Sequence, residues 1–120
     1  MGRIIHVEIV AEDHDRAAEF YRKVFGWEVT PAPVPDGYLI ARTGQGDGID
    51  GAIMSNRYQS QQTIAWLEVD DLEPVLDAAR VAGGEVVGEI HELPGVGRLS
   101  YVRDTEGVLI GLRETLRAAG

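Results

Sequence analysis

The stretch 4–29, IIHVEIVAEDHDRAAEFYRKVFGWEV, reads as a strand, a capped amphipathic helix and a second strand, and it recurs 58 positions along as QTIAWLEVDDLEPVLDAARVAGGEVV, 62–87. The offset carries His6 onto Ile64, Ile9 onto Leu67, Asp13 onto Asp71, Asp15 onto Glu73, Arg22 onto Arg80, Gly26 onto Gly84 and Val29 onto Val87. Few residues are identical, yet acidic, apolar and glycine classes stay in register. A period near half of the 120 residues is too long for a solenoid array and predicts one fold made of two duplicated halves.

Each half has the same punctuation. Residues 4–10 alternate as a half-buried strand does, with Ile5, Val7 and Ile9 on one side and His6 and Glu8 on the other. Asp13 is placed to cap a helix, Asp15 adds negative charge to its first turn, and Gly26 ends it. Ala17, Phe20, Tyr21 and Val24 fall on one stripe of that helix and are expected to be its buried side. A short strand follows at 27–30, then a loop carrying Pro31, Pro33 and Pro35, a strand at 38–43, a connection rich in glycine at 44–51, and a strand at 51–55. That connection, GQGDGIDG, lacks the Lys and Ser/Thr of a phosphate-cradling loop and reads as a hairpin turn.

The second half repeats the order. It has a strand at 63–69, a helix capped by Asp70 or Asp71 with Leu72, Val75, Leu76 and Ala79 on its buried stripe, and strands at 85–90, 98–103 and 108–113. Pro74 sits in the first helical turn, where its missing N–H costs little. The chain is thus βαβββ followed by βαβββ, one domain over 1–120 with module boundaries near 57 and 58. Two such sheets can curl around a shared concavity with the helices outside.

Composition narrows the function. Twenty Asp and Glu against eleven Lys and Arg give a formal charge of −9, which disfavours nucleic acid as a partner, because that affinity comes from clustered cations on phosphates. The absence of cysteine excludes thiolate nucleophiles and zinc–thiolate sites. The apolar run 4–10 is broken by His6 and Glu8, so it reads as neither a secretory leader nor a membrane span, and a cytoplasmic location is the expectation.

Through HVEI, DRAAEFYRKVFGWEV, GAIMS, VDDLEPVLDAARVAGGEVV, PGVG and DTEGVLIGL, the chain resembles the vicinal oxygen chelate superfamily over essentially its whole length. This is the glyoxalase, bleomycin resistance protein and extradiol dioxygenase group, and the branch it is most similar to is that of small bacterial proteins related to lactoylglutathione lyase. The resemblance implies an α+β fold in which paired βαβββ modules form an open U-shaped barrel with outer helices, commonly as a homodimer. In metal-dependent members, four side chains on facing strands hold a divalent ion. Those positions fall on His6, Ile53, Ile64 and Gly111, of which only His6 carries a donor side chain. The expectation is therefore a protein without a metal or other cofactor.

If these positions face the cup, alternation places His6, Glu8, Ile53, Ser55, Ile64, Trp66, Leu109, Gly111 and Arg113 toward it. Such a mixed lining suits a small organic molecule. His6 is a candidate general base or hydrogen-bonding group, with Glu8 to orient it or share its proton; the alternative is a strand histidine that only packs. Trp66 is a candidate stacking surface, or simply a large core side chain. Arg98, after PGVG, is a candidate anion anchor or a plain surface arginine. Two functional readings stand. One is a metal-independent ligand-binding module of the bleomycin-resistance type. The other is a glyoxalase-like lyase, isomerase or dioxygenase using an unorthodox metal site or His6/Glu8 acid–base chemistry.

Overall fold

The computed structural model describes residues 2–115. Its first module contains β1 (Arg3–Ala11), α1 (His14–Phe25), β2 (Glu28–Pro31), β3 (Tyr38–Arg42) and β4 (Gly51–Ser55). The second contains β5 (Thr63–Val69), α2 (Leu72–Val81), β6 (Glu85–Leu93), β7 (Gly97–Arg103) and β8 (Leu109–Thr115). The doubled βαβββ order is the one expected from the repeat, and the α+β class is the one the resemblance implied. Within the first module the strands lie in the order β2-β3-β4-β1, and within the second β6-β7-β8-β5. In both, the last strand returns to lie parallel to the first, while the hairpin neighbours are antiparallel.

The helix of each module covers one face of its strands. In the first, Ala18 of α1 is fully buried against Val29, Leu39, Ala41 and Ile53, with Ile9, Tyr21 and Trp27 around them. In the second, Leu72 and Leu76 of α2 pack with Val69, Val102 and Leu112. Ends are set as the sequence suggested for α1. The Arg16 N–H donates to Asp13 Oδ1 at 2.9 Å, and Gly26 closes the helix in the left-handed region at φ 71°.

Two expectations fail here. Phe20 and Val24 were assigned to the buried stripe, but they are 55% and 56% exposed. The helix instead turns its small residues, Ala17 and Ala18, to the sheet, which allows close approach. Its rings form a cluster alongside, with Tyr21 stacked on Trp27 at 4.6 Å and edge-on to Phe20 at 5.2 Å.

The second concerns α2. Asp71 occupies the N-cap position but makes no capping bond through its side chain. The orphan N–H of Leu72 donates to Glu114 Oε2 of β8 at 2.8 Å, a partner 42 residues away that local sequence cannot reveal. Arg98, only 26% exposed at its side chain, holds this arrangement. Its Nε donates to Glu114 Oε1 at 3.0 Å and its Nη1 to Glu73 Oε2 at 2.8 Å. These bonds commit Arg98 to the fold and keep it from serving as an anion anchor.

Hydrogen bonds from Arg98 pull the Glu73 carboxyl down from 4.5 to about 2, and the same guanidinium, with the Leu72 N–H, lowers Glu114. A carboxyl whose folded value lies below its unfolded one stabilises the fold above the unfolded value and loses that contribution as pH falls through the folded one. Stability to denaturant should therefore decline as pH drops from about 4.5 to about 2. In Arg98→Met, urea titrations over this range should show lower stability at neutral pH and a much shallower acid decline.

Candidate functional site

In the first module, the face opposite α1 carries a polar chain. Register pairs Glu8 with Ala52 and Ala52 with Ile40, so Glu8, Ala52 and Ile40 share a face, as do Met54 and Tyr38. Tyr38 lies on β3 and Glu8 on β1, with β4 between them, which is two strand spacings or roughly 10 Å. Only long side chains can meet across that gap, and the small Ala52 leaves room beneath them. The Tyr38 hydroxyl donates to Glu8 Oε2 at 2.8 Å, and the same oxygen lies 2.9 Å from His6 Nε2. Glu8 is only 4% exposed; a carboxylate so buried needs donors, and Tyr38 supplies one.

The pairing of His6 with Glu8 on one face follows from alternation along β1. Tyr38 was not singled out, because YLIAR has apolar residues at both parities and nothing local fixes which side Tyr38 takes. Its signal lies in the hairpin register with β4.

Ile53 is not on this face. It is fully buried on the helix side, where it packs with Ala18, Leu39 and Ala41; Ser55, at the same parity, turns the same way. The offset of 58 slips by one at the last strand: Ile9 pairs with Ile53, but Leu67 pairs with Leu112, not Gly111. One residue of slip exchanges the two faces of a strand. The spatial counterpart of Gly111 is therefore Ala52, which likewise offers no donor.

In the second module, Trp66, Gly111 and Tyr101 are direct neighbours across β5, β8 and β7. The indole lies on Gly111 so closely that a Cβ there would overlap its ring, and Tyr101 meets Trp66 edge-on at 5.1 Å. Trp66 is 6% exposed, so its ring is used in packing. Ile64 is fully buried. Arg113 shares the Trp66 side and donates from Nε to Thr115 Oγ1 at 3.3 Å, and Thr115 in turn donates to Glu68 Oε2 at 2.7 Å.

These residues do not fit a chelated divalent ion at the family positions. His6 is the sole donor side chain among His6, Ala52, Ile64 and Gly111, whereas catalytic sites of this kind typically use about three protein ligands. One other acidic group, Asp71, Glu73 and Glu114, is bound by Arg98 through two of its members.

A family model described as the Glyoxalase/Bleomycin resistance protein/Dioxygenase superfamily matches residues 3–112. The chain belongs to this superfamily. It is 30% identical to a probable lactoylglutathione lyase of Vibrio parahaemolyticus, over 98% of this chain and 94% of that protein. It is also 30% identical to the putative glyoxylase CFP32 of Mycobacterium tuberculosis, but spans only 46% of that protein's length. Among solved structures it is similar to methylmalonyl-CoA epimerase from Mycobacterium tuberculosis, with a TM-score of 0.69 and 22% identity over 97% of this chain and 89% of that one. The Streptomyces coelicolor epimerase gives a TM-score of 0.68 at 22% identity, over 93% and 96%. At such identities these likenesses show the superfamily fold alone. No helix among the described residues is long and apolar enough to cross a membrane.

The packing of Trp66 on Gly111 is testable. Gly111→Ala should cost roughly 1–3 kcal/mol, the usual range for overpacking, measured by urea denaturation. In a Trp66→Ala background the same substitution should cost less than about 0.5 kcal/mol, because the obstructing ring is gone.

Proposed function

We propose that this superfamily member binds a small organic molecule without a metal ion, at the strand faces turned away from the helices. The observation that carries this reading is the indole of Trp66 lying where a side chain at Gly111 would have to be. Any chelating group at that corner would need the ring to leave. Ile64 and Ala52 likewise offer no donor side chain. In the first module, His6, Glu8 and Tyr38 form a linked polar group among apolar side chains, which is the usual make-up of an organic ligand site. The charge of −9 favours a neutral or cationic ligand over an anionic one.

A second reading is favoured by the chain His6–Tyr38–Glu8, whose 2.9 and 2.8 Å links are within the reach needed for proton transfer. Together with the likeness to the Vibrio protein, it supports metal-free acid–base chemistry of a lyase or isomerase type.

Elemental analysis of the purified protein separates these readings from metal catalysis. Zinc, nickel, manganese and iron should each be far below one equivalent, and chelator should leave the melting temperature unchanged. A near-stoichiometric metal lost in His6→Ala contradicts both. A thermal-shift panel of neutral and cationic organic compounds should contain stabilising ligands, while turnover of lactoylglutathione by metal-free protein, abolished in His6→Ala, would favour the second reading.

A further inference from the structure

We propose that Tyr38 is a positioning residue that fixes His6 as a hydrogen-bond donor through Nε2, and so withdraws that nitrogen of the one retained chelating-position side chain from metal coordination. The inference deepens the metal-free reading of this site and rests on it for its functional meaning. A phenol has one proton to give and lone pairs to accept with. The Tyr38 oxygen touches two partners, Glu8 Oε2 at 2.8 Å and His6 Nε2 at 2.9 Å, and it can donate to only one.

The carboxylate is the better recipient. An ionised carboxylate only accepts, and a hydrogen bond to it is charge-assisted and stronger than one to a neutral imidazole. With the phenolic proton committed to Glu8, the contact to His6 is a hydrogen bond only if Nε2 carries a proton and donates. The direction of the chain is then Nε2–H to Tyr38 Oη, and Oη–H to Glu8 Oε2. A nitrogen that carries a proton has no lone pair for a cation. The buried carboxylate at Glu8, 4% exposed, thus sets the state of an imidazole through a residue on another strand. The chain is legible neither from His6 nor from Glu8 alone, since Tyr38 is 32 residues from the first and 30 from the second.

The test is long-range 1H–15N correlation spectroscopy on the uniformly 15N-labelled full chain, with the His6 signals assigned by their loss in His6→Gln. The wild-type protein is expected to show His6 with a protonated, slowly exchanging Nε2. In Tyr38→Phe, which keeps the ring and removes the hydroxyl, that proton should exchange at least about tenfold faster and the tautomer should shift; a factor of ten corresponds to about 1.4 kcal/mol, within the worth of one such bond. An unprotonated Nε2 in the wild type overturns the proposal, as does a His6 signal unchanged in Tyr38→Phe. The wild-type spectrum decides alone if Tyr38→Phe fails to fold. Stoichiometric metal in a protein whose His6 keeps Nε2–H contradicts the metal-free reading and leaves this inference standing. A metal-free protein with bare Nε2 does the reverse.

Discussion

The contact on which this account turns is the indole of Trp66 lying over the bare backbone of Gly111. A glycine inside a strand is locally weak, because it adds flexibility and nothing to pack. An aromatic ring laid across it from the neighbouring strand makes good that loss and excludes water from the backbone. Tyr101 closes the arrangement edge-on. The ring fills the space that a side chain at 111 would need. The position that the resemblance aligned with a metal ligand is here part of a small core.

The first module spends its equivalent face differently. Glu8 is nearly inaccessible, and an ionised group in that setting is costly unless donors surround it. Tyr38 reaches across β4 to satisfy it, which is possible because Ala52, paired with both Glu8 and Ile40, has almost no side chain. Links of 2.9 and 2.8 Å join His6, Tyr38 and Glu8 into one network, and connected buried networks help specify one geometry. Two modules of one topology therefore present different chemistry: edge-on aromatic packing beside Arg113 in one, and a linked imidazole, phenol and carboxylate in the other.

The fold was legible because its signals are local or periodic. The recurrence of strand, capped helix and strand marked the two modules, and short connections marked the hairpins. Faces of strands were legible only where apolar and polar residues alternate. In β1 they do, and His6 and Glu8 were placed together. In β4, GAIMS is buried at every position, so it offers no alternation to read, and Ile53, which the resemblance placed toward the cup, faces the helix-side core instead. The same limitation hid Tyr38, and it also hid the cap on α2, because a carboxylate supplied by Glu114 from β8 leaves no trace near Leu72. Phe20 and Val24 looked buried because size and spacing suggested it, whereas close packing of α1 required alanine at the contact.

The claim that these substitutions have removed the chelating site is tested most directly by isothermal titration of the metal-free protein with Ni(II) and with Zn(II), comparing wild type with His6→Ala. The account predicts weak heats without a saturable one-to-one phase, the same in both proteins. A one-to-one site present in the wild type and absent in His6→Ala would contradict it.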